Sequence, residues 1–131
     1  MKRRSKRHRR KGAVTVEFAL IAPIFFTLIF GSVEFARVHM IQTAVENACF
    51  EAARRGTVPG ADESHCLTRA NELMDVIGVQ GNVTVEPSTI NAATPQVTVT
   101  IQVPLTAENG FGFTSLFSTQ AMTKSVTLSI D

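Results

Sequence analysis

Residues 12–33 read GAVTVEFALIAPIFFTLIFGSV, and one ionisable side chain, Glu17, lies within them. From Phe18 to Val33 there are sixteen residues without a charge. With Ala13–Val16 included and Glu17 tolerated, the apolar span is twenty-one residues. As a helix it extends roughly 32 Å, enough to cross the hydrocarbon core of a bilayer. A carboxylate deep in such a helix costs about 2.5–3.5 kcal/mol even on lenient insertion scales. A plain anchor gains nothing from that cost, whereas a segment cut after Gly12 and packed against copies of itself has a use for the charge. Pro23 deprives the Ala19 carbonyl of its helical donor, so a kink or local loosening is expected, which membrane helices tolerate.

The charges on either side of this stretch set its orientation. Residues 1–12 carry +8 and residues 13–131 carry −6 within a formal total of +2. A basic arm of this kind reads as a nucleic-acid tail, a membrane-surface patch or the cytoplasmic flank of an inserted helix. The apolar run that follows at once selects the third. The chain is therefore expected to be a single-pass protein of the cytoplasmic (inner) membrane, N-terminus in the cytoplasm and C-terminal domain outside. Ser32-Val33-Glu34-Phe35 offers no small-residue cleavage pattern of a secretory signal, and the Arg pairs do not open a twin-arginine signal. The negative mature chain argues against a nucleic-acid partner.

Gly12 followed by Ala13-Val14-Thr15-Val16-Glu17-Phe18 resembles a type IV prepilin cleavage site, and its Glu-Phe pair is similar to the Flp/tight-adherence subclass. Phe30-Gly31-Ser32-Val33-Glu34-Phe35-Ala36-Arg37 and Ala48-Cys49-Phe50-Glu51-Ala52-Ala53-Arg54-Arg55-Gly56 resemble the TadE-like family of that pilus system. The resemblance covers about residues 10–60. It implies a minor pilin or pseudopilin, cut by a membrane prepilin peptidase and needed to assemble thin adhesive pili. Its partners would be other pilins and the assembly platform, in the membrane or in the pilus. The processing site carried over is Gly12, Ala13, Glu17 and Phe18, with the scissile bond at Gly12–Ala13. Glu17 would pair with the new amine of its own or a neighbouring subunit. The alternative is that Glu17 sits in the first helical turn and only offsets the helix dipole. Glu34 and Arg37 are further assembly candidates, with a solvated flank as the plainer reading.

The chain divides into a leader at 1–12, a transmembrane helix at 13–36 and an extracytoplasmic domain at 37–131. The first helix is expected to run from Ala13 to Arg55, with Val38, Ile41, Val45, Ala48, Cys49 and Ala52 on one face. Gly56 after two arginines is a stop signal. Met40 and Phe50 fall on the polar side, where contact with a second layer of the domain is expected rather than contact with a partner. A second helix, capped by Asp62 or Ser64, should end near Gly78 with Leu67, Ala70, Leu73, Met74 and Ile77 inward. Cys49 and Cys66 can meet across this antiparallel pair, and a disulfide there would contribute about 3 kcal/mol. Two buried thiols are the other reading. His8, His39 and His65 are scattered, so no metal site and no cofactor are predicted.

After Gly81 the period becomes two. Asn82–Glu86, Gln96–Val103 and Gln120–Ile130 read as strands of an antiparallel sheet with one face on the helices. The fold class is α+β and pilin-like. Phe111, Phe113, Leu116 and Phe117 in the connection 105–119 form a satellite of the core or a contact surface, with a helical turn near Thr114–Ser118. No catalytic constellation and no small-molecule substrate site is apparent, so the chain is not read as an enzyme. Two function classes remain: a processed pilus-assembly subunit, and an unprocessed single-pass protein with an extracytoplasmic binding or adaptor domain.

Overall fold

A computed structural model of the chain describes residues 7–91, 93–112 and 121–130. The first helix, α1, spans Arg7–Gly56, 50 residues and about 75 Å long. Its lower half carries large apolar side chains on the outside: Phe18, Leu20, Ile24, Leu28 and Phe30 are each more than half exposed. The helix is long and apolar enough to cross a membrane, and no part of its apolar window is buried in the protein. α1 runs on through Pro23. The hydroxyls of Thr27 and Ser32 donate to the carbonyls of Pro23 and Leu28, at 2.8 and 2.7 Å. Polar groups in this segment thus close on their own helix, as an apolar medium requires.

The upper half of α1 buries the expected stripe of Ile41, Val45, Ala48, Cys49 and Ala52, to which Ala53 and Gly56 are added. A tight turn reverses the chain into α2, Glu63–Ile77. Asp62 caps it, accepting from the His65 N–H at 3.1 Å, and Gly78 ends it in the left-handed conformation at φ +67°. α2 presses Cys66, Ala70 and Met74 onto α1.

Three strands follow: β1 (Asn82–Glu86), β2 (Gln96–Pro104) and β3 (Ala121–Ser129). They form an antiparallel sheet in the order β1-β2-β3, with Val85 opposite Val99 and Val99 opposite Val126. Val97, Val99, Ile101 and Val103 of β2 are fully buried beneath the helices. Both helices lie on this one face, α1 over β2 and β3 and α2 over β1. The outer face is hydroxylated: Thr98 meets Thr127 at 2.8 Å, and Thr100 donates to Ser125 at 2.9 Å. One buried and one wet face, produced by strict alternation, is the expected α+β arrangement.

Phe111 is fully buried and belongs to this core. Phe113, Leu116, Phe117 and the turn expected near Thr114–Ser118 lie outside the described residues. Met40 and Phe50 depart from expectation: they are 65% and 45% exposed, because both helices share one side of the sheet and no second layer reaches the opposite face of α1.

Candidate processing and assembly region

Helix α1 begins before the glycine. Its backbone is helical from Arg7, so Gly12–Ala13 is an intrahelical peptide bond and Glu17 lies ten residues into the helix. The first turn holds no acidic residue. In the intact chain Glu17 therefore does not offset the positive end of the helix dipole, which acts within the first turn. Cleavage after Gly12 would change this. Ala13 would become the helix N-terminus, and Glu17, four residues on, would stand on the same face one turn away.

Gly12 is exposed, and a side chain built there would meet no atom within 4 Å. The fold does not require glycine at this position. Glycine in a helix interior in fact costs about 1 kcal/mol relative to alanine. The same low propensity makes this turn the easiest place to open the ladder that holds the scissile amide. Phe18, 68% exposed, stands next to Glu17 on the unburied helix surface.

Glu34 and Arg37 mark the entry of α1 into the globular part. Glu34 is half-buried. Arg37 reaches the turn after the short 3-10 segment Ala107–Asn109: a Cβ at Gly110 would collide with its guanidinium. Gly110 has φ +77°, a conformation that favours glycine, so backbone geometry and the arginine both select the residue. Arg37 thus holds the membrane-proximal turn to α1. Among the described residues beside it, Asn109 fixes the same turn from within. It is buried, accepts from the Gln80 N–H at 2.7 Å, and donates to the carbonyls of Gln80 and Pro104, both at 2.9 Å. Sequence reading missed Asn109, because Asn-Gly reads as an exposed turn and nothing local marks the asparagine as buried.

The cysteines do not form the expected bridge. Both are buried free thiols. The Cys49 thiol donates to the Lys124 carbonyl of β3 at 3.5 Å, whereas Cys66 Sγ lies against Gly56, seven residues further along α1. The helices are antiparallel as anticipated, but their register sets the two sulfurs about two turns apart. Burial pushes the Cys49 thiol up to about 11 and raises Cys66 as well, with Asp62 and Glu63 adding to the latter. Both therefore stay protonated and unreactive at neutral pH. Lys124 explains the imperfect alternation of β3: it occupies an inward position but leads its ammonium out to Glu46 at 3.3 Å.

Residues 12–54 match the family model described as TadE-like protein, about a third of the chain. The matched segment begins at Gly12, contains Glu17, Phe18, Glu34 and Arg37, and ends in the last turn of α1. This agrees with the resemblance read from the residues and relates the chain to the tight-adherence pilus system. No curated protein and no solved structure matches the chain.

Proposed function

We propose that this chain is a minor pilin or pseudopilin of a tight-adherence pilus, cleaved between Gly12 and Ala13 and acting as an assembly subunit rather than as an enzyme. The carrying observation is that Gly12 opens the TadE-like match at a position where the fold itself has no need of glycine. A requirement that the folded chain does not explain points to a partner, and a peptidase that must reach the backbone supplies one. Cleavage removes the basic residues of the arm and leaves an anchor with Glu17 one turn from its new N-terminus. The new amine adds a positive charge at the positive end of the helix, and Glu17 at i+4 offsets it. Pairing with a neighbour's amine does the same across a subunit contact and offsets the desolvation of both charges. The globular part then stands outside the cytoplasmic membrane, on a helix whose basic flank faced the cytoplasm.

The test is the N-terminal sequence and intact mass of the protein from its native membrane. A chain beginning at Ala13 is expected. Gly12→Val should retain the arm, while Glu17→Val should be processed and inserted but absent from assembled pili. Wild-type chains that keep the arm in a host possessing the peptidase would leave an anchored adaptor domain as the function.

A further inference from the structure

The strongest feature outside the anchor is a groove of about 660 Å³ between α1 and α2, on the side away from the sheet. α2 contributes one face at i, i+3, i+4 and i+7, and α1 its last two turns, with Val58 from the turn that follows. Glu51, Arg54 and Arg55 come from α1, and His65, Arg69 and Glu72 from α2. Residues 13–131 hold five Lys and Arg side chains against eleven acidic ones, and three of those five cations line this groove. Arg69 pairs with Glu72 at 3.2 Å. Among the described residues, Arg54 and Arg55 have no carboxylate within 4.0 Å. Within residues 13–131, which carry −6, the groove sets three arginines against Glu51 and Glu72, and two of the arginines are uncompensated.

Its position limits what can fill it. Arg55 lies eighteen residues beyond Arg37, about 27 Å further from the membrane, so the headgroups around the anchor do not reach it. The opposite, membrane-proximal end of the domain carries Asp75 and Glu108. Both are exposed, with no cation within 4.0 Å among the described residues. The Gln80–Asn109 hydrogen bonds bring the segments bearing these two carboxylates together. Two arginines thus stand without a carboxylate at the far end, and two carboxylates without a cation at the near end, where Arg37 lies against Gly110.

We infer that the groove receives the Asp75–Glu108 end of a second copy displaced along the helix axis. Copies drawn from one membrane into a fibre keep parallel α1 helices, and at equal height they would set arginines against arginines. An axial offset sets carboxylates against Arg54 and Arg55 instead. Guanidinium forks suit carboxylates in two-point geometry. A head-to-tail contact of this kind uses two different patches and repeats without closing. The inference rests on the assembly reading above.

The experiment places a photo-crosslinking residue at the exposed groove position Thr68, or at Phe26 in the anchor, in the full chain in cells that assemble the pilus. Adducts are mapped by mass spectrometry. Position 68 should capture residues 75–112 of a second copy. Arg54→Glu with Arg55→Glu should cut that adduct about tenfold, as the loss of a close charge pair does across an interface. Adding Asp75→Arg and Glu108→Arg should restore it. Arg54→Lys with Arg55→Lys keeps the charge and should retain most of it. Capture of another protein or of a different part of a second copy, or failure of the charge swap to restore the adduct, overturns the inference. If position 68 captures no second copy while position 26 does, the groove proposal falls and assembly stands. If position 26 captures neither a second copy nor another pilin, both fall.

Discussion

A methyl group at position 56 would stand 2.7 Å from Cys66 Sγ and 3.1 Å from Val97 Cγ1, so α2 and the sheet close on α1 only because Gly56 has no side chain. In the sequence Gly56 reads as a helix stop. In the fold it is buried, still helical, and serves close approach. Gly56→Ala sets two effects against each other. Alanine gains about 1 kcal/mol of helix propensity, while overpacking a filled core costs about 1–3 kcal/mol. The contact lies with a sulfur of a buried side chain and a valine of a central strand, neither of which has room to retreat, so the clash should win. Gly56→Ala should lower the thermal midpoint of the full chain in detergent, followed by circular dichroism. Adding Cys66→Ala removes the obstructing sulfur and should recover part of that loss. Two losses that simply add would show that the residues are not coupled.

Helix α2 has a boundary set by local chemistry, and that chemistry has a pH dependence. Asp62 accepts from the Ser64 hydroxyl at 2.6 Å and from the His65 N–H at 3.1 Å. These bonds, Ser64 first, lower its carboxyl from 3.8 to about 2. His65 Nδ1 lies 2.7 Å from the same oxygen and 3.2 Å from the Asp62 N–H, and carrying its proton it donates to the oxygen. Because the folded value lies below the unfolded one, the unfolded chain binds the proton first on acidification. The contribution of ionised Asp62 is complete above pH 4 and is lost as pH falls towards 2. Asp62→Asn keeps an acceptor at the cap without the charge, so the helical signal of the variant should fall less steeply than wild type over that window. Parallel acid profiles would place the pH dependence elsewhere. Elements of this kind were legible in the sequence, because Asp62, Gly78 and the Val97–Val103 alternation are signals carried within a few residues. The cysteine pairing was not legible: it depends on the axial register of two helices, which Gly56 sets through a contact distant in sequence. The exposure of Met40 and Phe50 was not legible either, since it follows from both helices choosing the same face of the sheet. The groove lay in between. The spacing 65-68-69-72 and the pair Arg54-Arg55 were available, but not that they line one cleft.

At the scale of the whole molecule the question is how a long, half-unburied helix carries its domain as one body. Most of α1 below Val38 is exposed, so the domain is held at its membrane-proximal end by few contacts. Arg37 covers Gly110, Phe111 fills the core, and Asn109 ties the α2–β1 connection to the end of β2 through three hydrogen bonds. Asn109 is 2% exposed, and removing its side chain takes a partner from both the N–H and the carbonyl of Gln80, while the Pro104 carbonyl keeps the Thr106 N–H at 2.9 Å. A buried unsatisfied donor or acceptor costs about 1–3 kcal/mol, and a neighbouring hydrophobic core cannot repair the loss. Asn109→Ala should therefore destabilise the full chain in detergent by at least about 1–3 kcal/mol in a denaturant titration. Asn109→Asp is the sharper variant. It preserves volume and the acceptor for the Gln80 N–H, but replaces both donors to the Gln80 and Pro104 carbonyls with an oxygen that repels them. If the turn is held by donation from Asn109, aspartate should rescue nothing at neutral pH. A wild-type midpoint for Asn109→Asp would mean that the single bond from the Gln80 N–H suffices and that the other two are incidental. Because the same turn displays Glu108, loosening it should also weaken the copy-to-copy adduct from position 68, which links the stability of the near end to its role in assembly.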